Sequence, residues 1–258
     1  MYNFLYMDKN NRHNLIKKVQ SELLRGAPFD LRTLANLGVS PTLAAHYAKH
    51  NWLVRLAQGV YAFPNDNFSV FGAINFLQQR IPMLHIGGKS ALAMHGIRHN
   101  LTKRATLVLW GNTRHVLPDW FTERFPSRYV YANLFDWPND ILPAQTLGTP
   151  AGQPDSVCAS VAERAILEML FDVGTKQSLE EARNLFDGLR PPRIKLLGQL
   201  LTSCNSVKTV RLFLTWARET DLVDVDHLLS QYPVRAGSDK RWMTKLTDGT
   251  LLSLKQYG

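Results

Sequence analysis

The sequence predicts an α+β protein: an N-terminal winged helix-turn-helix, residues 1–80, followed by a larger mixed α/β domain, residues 81–258. Three observations carry that expectation. Three short helical patterns run into a β-hairpin pattern within the first 64 residues, which is the element order of a winged helix. Strand-like and helix-like runs then mix beyond Ile81. Positive charge is also unevenly placed, with nine Lys and Arg against four Asp and Glu in residues 1–80, over half of the chain's net +9. Such asymmetry fits contact with a polyanion through the N-terminal part.

The first helix is expected over Asn11–Leu24, where Leu15, Ile16, Val19, Leu23 and Leu24 share a face and Arg12, Lys17 and Lys18 lie elsewhere. Gly26, Ala27 and Pro28 end it. Asp30 is the N-cap of a short second helix through Leu31, Leu34 and Ala35, which Asn36-Leu37-Gly38-Val39 breaks. Ser40-Pro41 starts the third helix, Pro41–His50, with Ser as cap and Pro where a missing N–H costs nothing. Its Leu43, Ala44, Tyr47 and Ala48 form one side, and Thr42, Ala45, His46 and Lys49 the other. Short polar groups near base edges and basic ones toward phosphate suit a helix in the major groove. The runs Trp52–Leu56 and Val60–Pro64, around Ala57-Gln58-Gly59, make the hairpin. A further helix is expected over Phe68–Arg80.

In the second domain, Gly87-Gly88-Lys89-Ser90 is not a phosphate-binding loop, because the first glycine of GxxxxGK[ST] falls on Met83. The glycines instead permit a tight entry into a short helix, Lys89–His95. Strands are expected over Ala105–Trp110 and Arg128–Phe135, with Leu117-Pro118-Asp119-Trp120 between them. Helices follow over Val161–Phe171, Leu179–Phe186, Arg193–Ser203 and Ser206–Thr220. The first two begin at capping boxes, Ser160-Val161-Ala162-Glu163 and Ser178-Leu179-Glu180-Glu181. On the last, Lys208, Arg211 and Arg218 are expected to form a basic stripe opposite Val210, Phe213, Leu214 and Ala217. Asp248-Gly249 predicts a terminal type I′ hairpin between Arg241–Leu246 and Thr250–Lys255.

Composition is that of an ordinary globular protein, 45% hydrophobic and 20% charged. No apolar run approaches the roughly 18 residues of a membrane span. The opening MYNFLYMDKNN has neither the basic leader nor the apolar stretch of a signal peptide, so a cytoplasmic protein is expected. Cys158 and Cys204 are far apart and lack CxxC spacing, so neither disulfide nor zinc is expected. His85, His95 and His99 are the nearest thing to a catalytic or metal cluster, with packing or hydrogen bonding the better account of them. Ser90 has no nucleophile-elbow context, and Glu163 and Glu168, five apart on a helix, make no evident carboxylate pair. No enzyme, metal or cofactor signature results.

Several segments, taken in order and spacing, resemble the AbiEi antitoxins, the regulatory half of type IV toxin–antitoxin systems. They are Trp52-Leu53-Val54-Arg55-Leu56 with Gly59-Val60-Tyr61, and Gly87-Gly88-Lys89-Ser90-Ala91-Leu92 with His95-Gly96 and His99. Leu117-Pro118-Asp119-Trp120, Glu163–Glu168, and Val207-Lys208 with Arg211-Leu212-Phe213-Leu214 complete the set. Where that family usually has Gly-x-Gly-Lys-Arg, this chain reads Ala236-Gly237-Ser238-Asp239-Lys240-Arg241. The resemblance implies repression of the protein's own operon through double-stranded DNA at inverted repeats in the promoter. It also implies antitoxicity toward a nucleotidyltransferase-like AbiEii toxin, without a stable complex. The alternative is a stand-alone regulator with no toxin partner. In either case Ser40, Thr42, His46 and Lys49 on the third helix, Arg55 and Gln58 on the wing and Arg32 on the second helix are the expected DNA contacts. Lys89, Lys208, Arg211 and Arg218 are candidates for a second basic surface.

Overall fold

A computed structural model describes residues 9–98, 106–137, 144–150, 152, 157–238, 240–247 and 249–254. The chain is mixed α and β and divides into two compact units, Met1–Arg80 with Leu117–Phe125, and Ile81–Val116 with Pro126–Gly258.

The first unit begins with α1 (Lys9–Glu22), β1 (Phe29–Asp30), α2 (Leu31–Asn36) and α3 (Pro41–Lys49), followed by β2 (Val54–Ala57) and β3 (Val60–Ala62). Local chemistry sets these boundaries. Asp30 Oδ1 accepts the Thr33 N–H at 2.7 Å, and Ser40 Oγ accepts the Leu43 N–H at 3.2 Å. Each bond satisfies a backbone donor that a helix start leaves free, and losing such a cap typically costs about 1 kcal/mol. Gly38, between α2 and α3, has φ +88°, a conformation that side chains with a Cβ resist. The β-strands form an antiparallel sheet in the order β1-β3-β2. Ile16 and Val19 of α1, Leu34 of α2, and Leu43, Ala44 and Tyr47 of α3 share one core with Phe29, Val39, Leu53, Tyr61 and Phe63. Tyr47 donates its hydroxyl to the Arg12 carbonyl at 2.7 Å, tying α3 to α1. The unit is completed by α4 (Val70–Gln78) and α6 (Asp119–Thr122), where Trp120 meets Phe68 and Phe76 edge-on.

The second unit is built on a five-stranded mixed sheet in the order β6-β5-β4-β8-β7. Its strands are β4 (His85–Ile86), β5 (Leu107–Gly111), β6 (Ser127–Tyr131), β7 (Leu147–Gly148) and β8 (Ala159–Ser160). Pairs β5/β6 and β4/β8 are parallel, and β4/β5 and β7/β8 are antiparallel. The two-residue strands leave almost no alternation to read, which is why they were not expected from the sequence. Helices α5 (Gly88–Met94), α7 (Ala162–Asp172), α8 (Leu179–Asp187), α9 (Ile194–Ser203), α10 (Val207–Glu219) and α11 (Val225–Gln231) pack with this sheet's unit, α7 being central. A hairpin of β9 (Trp242–Lys245) and β10 (Leu251–Leu254) ends the described chain.

Three local expectations are corrected here. The box at Ser160 does not form: the N-cap of α7 is Val161, with no side-chain cap. Ser160 Oγ instead donates to Glu168 Oε2 at 2.8 Å, and Glu163 accepts from the backbone N, Nε and Nη2 of Arg193. At Ser178 half of the box forms, because Ser178 Oγ takes the Glu181 N–H while the Glu181 carboxylate turns to Lys89 and Gln177. The terminal turn is longer than type I′, since Leu246 N–H pairs with Thr250 O, Gly249 N–H bonds Leu246 O, and Gly249 has φ +88°. That is the pattern of a three-residue loop with glycine in the left-handed position.

Candidate nucleic-acid interface and the centre of the second unit

The packing of the first unit divides α3 into two faces. Leu43, Ala44 and Tyr47 are buried, whereas Thr42, Ala45 and Lys49 are exposed and His46 is half-buried. Ser40 is committed to its cap. Arg32 on α2, Arg55 on β2 and Gln58 in the following turn are exposed, and Arg55 Nε donates to the carbonyl of Ala57, two residues on, at 3.4 Å. One further residue joins this surface. His50 lies one turn beyond His46, with ring centroids 4.1 Å apart and its Nδ1 2.9 Å from the His46 carbonyl. Partial desolvation, with the positive charges of His50, Arg12 and Lys49, holds His46 below the usual histidine pKa. The i,i+4 spacing of the two histidines was the available signal for that pair.

Of the four cations that the sequence offers for a second basic surface, three make their contacts inside the unit. Arg211 is 1% exposed and donates to the carbonyls of Ala236, Ser238 and Lys240. It is a clamp on the loop that replaces the Gly-x-Gly-Lys-Arg pattern. Lys208 Nζ donates to Phe171 O at 2.6 Å and Val173 O at 2.7 Å, satisfying carbonyls at the end of α7. Burial lowers the Lys208 pKa, against the opposing charge of Asp172. Lys89 Nζ is 3.0 Å from Glu181 Oε1. Arg218, paired with Asp226, is the exposed member of the set. A helix face read from periodicity is open only where no other element covers it, and here the loop at 236–240 covers Arg211.

At the centre of this unit is a carboxylate. Glu168 on α7 is fully buried and accepts four hydrogen bonds, from His85 Nε2 at 2.9 Å, Gly88 N at 3.0 Å, Ser160 Oγ at 2.8 Å and Arg164 Nε at 2.7 Å. Burial alone would raise its pKa, but the charges of His85 and Arg164 and the hydrogen bonds from His85 and Gly88 outweigh burial and hold it at about 2. The other His85 nitrogen, Nδ1, lies 2.7 Å from Met83 O, and His95 Nε2 lies 2.9 Å from Ser160 O. Both histidines are therefore in structural hydrogen bonds, and His99 lies outside the described residues. Among the described residues no group of three or more His, Cys, Asp or Glu is placed to hold a metal ion. Neither Cys158 nor Cys204 is in a disulfide, and burial pushes Cys204 up to about 11. No helix among the described residues is long and apolar enough to cross a membrane.

Comparison with known proteins adds what geometry alone does not. Residues 104–256 match the model of a family described as transcriptional regulator, AbiEi antitoxin, type IV TA system. Residues 12–103 match the model of the corresponding N-terminal domain. The chain belongs to the AbiEi antitoxin family.

AbiEi membership accounts for both units, since the two matches together run from residue 12 to residue 256. It makes this protein a transcriptional regulator and antitoxin of the type IV class. The chain also resembles a solved structure, that of the RV2827C protein from Mycobacterium tuberculosis, with a TM-score of 0.56 and 14% identity over 90% of this chain and 89% of that one. At that identity the likeness is one of fold. No curated protein matches the sequence.

Proposed function

We propose that this AbiEi protein represses its own operon by binding inverted repeats in double-stranded DNA. In this reading α2, the Gly38 turn and α3 are a helix-turn-helix, and β2 and β3 are its wing. The observation that carries the reading is the outer face of α3. It is capped, rigidly packed from behind, and presents Thr42, His46 and Lys49, none of which is in an ion pair among the described residues. Short polar groups followed by a cation one turn on match a helix that reads base edges and then touches phosphate. Arg55 and Gln58 on the wing and Arg32 on α2 add phosphate contacts. The protein acts in the cytoplasm and without catalysis of its own, and it opposes a nucleotidyltransferase-like toxin without a stable complex.

Two measurements test this. Binding to the repeats upstream of the operon, followed against salt, should weaken steeply as released counterions cost more at higher ionic strength. Absent or salt-insensitive binding overturns the DNA-binding reading. Co-expression with the product of the adjoining gene should restore growth, and failure to do so overturns the antitoxin part while leaving the repressor part standing.

A further inference from the structure

A cavity of about 70 Å³ opens at one end of the five-stranded sheet, within the second unit. The topology puts it there. β5 and β6 are parallel, with Gly111 opposite Tyr131, so the loops starting at Asn112 and Ala132 leave the sheet at the same end. β4 runs the other way and sets His85 opposite Trp110. Carboxyl ends of neighbouring parallel strands are where open α/β sheets receive ligands, because diverging loops leave a crevice. Asn112 and Asn133 edge this one, Phe135 and Trp137 wall it, and Arg164 and Glu168 lie at its base.

The base decides the chemistry. Arg164 is 6% exposed, donates Nε to Glu168 and Nη1 to Thr146 Oγ1 at 3.2 Å, and lies 5.5 and 5.4 Å from the Phe135 and Trp137 rings. Its remaining nitrogen, Nη2, has no partner among the described residues, although a guanidinium carries five N–H donors. Glu168 does not answer that donor, since its oxygens already accept four bonds. The Trp110 ring also lines the cavity, but its Nε1 is fully buried beside Gly88 and does not open onto it. A guanidinium N–H that opens into a cavity is normally answered by a protein group, a water or a ligand.

We propose that this strand-end cavity binds a small oxyanion, a phosphate group or a carboxylate, through the free edge of Arg164. The size agrees. One water-sized position needs about 10–15 Å³, so the space holds a group of about five non-hydrogen atoms. That is a phosphate, or the tip of an acidic side chain presented by a partner. It is too small for a nucleobase with its sugar. The aromatic wall raises the attraction by excluding water from one side of the guanidinium.

Calorimetric titration of the full chain, in a chloride buffer, with inorganic phosphate and separately with acetate tests this. The expected result is saturable one-to-one binding of at least one anion, with phosphate alone assigning a phosphate group and acetate alone a carboxylate. Asn133→Asp, an exposed change at the rim, should weaken binding about fivefold by placing a negative charge beside the site. Arg164→Lys should weaken it further, because an ammonium lacks the second planar donor. If Arg164→Lys fails to fold, Asn133→Asp alone decides. Absence of saturable binding by either anion, or binding equally strong in the folded variants, overturns the proposal.

Discussion

Gly87 lies against Glu168 so closely that a Cβ on the glycine would fall 2.5 Å from Glu168 Oε2, and equally close to Trp110 Cδ1. The glycine's φ of −135° is available to any residue, so space and not backbone conformation requires it. Gly87→Ala should therefore destabilise the protein by about 1–3 kcal/mol through overpacking. A denaturation midpoint equal to wild type would show that Trp110 or Glu168 can move aside at no cost.

The same carboxylate makes stability depend on acid. Its pKa in the folded chain, about 2, lies below the ordinary 4.5, so the folded state binds the proton more weakly than the unfolded state does. Glu168 therefore contributes its full stabilisation above pH 4.5, and that contribution is lost as pH falls from there toward 2. Glu168→Gln should lower stability at pH 7 by about 3–5 kcal/mol, because Arg164 is left buried without its counter-charge. The variant's urea midpoint should also change less than wild type's across that acid range.

Arg211 and Lys49 are both cations on helices, but they should fail differently. Arg211→Met removes three carbonyl contacts at the loop ending in Lys240, and should cost about 3 kcal/mol of stability. Its effect on the salt dependence of DNA binding should be nil once the protein is folded. Lys49→Ala should leave the melting temperature within a degree or two and reduce the slope of log affinity against log salt by about 1. A reversed pattern in anisotropy and melting experiments would place the DNA surface on the second unit.

His46 predicts a pH response. Desolvation first, then the positive charges of His50, Arg12 and Lys49, lower its pKa from 6.5, so it is mainly neutral at pH 7 and gains charge only as pH falls below 6.5. A phosphate nearby favours that charge, so DNA affinity should rise as the solution is acidified through this range. His46→Gln should flatten the profile. An unchanged slope in the variant would remove His46 from the interface.

Much of the first unit was legible because its determinants are local. Asp30 and Ser40 cap the helices that they precede, Gly38 bends the turn it occupies, and the spacing of Leu43, Ala44 and Tyr47 marks the buried side of α3. Caps and periodicity act over three or four residues, so one stretch of chain contains all of their physics. The terminal hairpin and the long helices of the second unit were legible on the same terms.

The fate of polar side chains in the second unit was decided only by tertiary structure. Ser160 and Glu163 have the spacing of a capping box, yet Ser160 serves Glu168 and Glu163 serves Arg193, 30 residues away. Glu168, read as an unremarkable helix carboxylate, is joined by His85, 83 residues earlier in the chain. Lys208 and Arg211 keep helical spacing but reach carbonyls 25 to 37 residues distant instead of solvent. A buried charge takes whichever complementary partner lies nearest in space, because an unpaired one costs more than any local motif returns. Sequence determined most of the helices and the family to which the chain belongs, whereas folding determined which cations remain at the surface and which are built into the core.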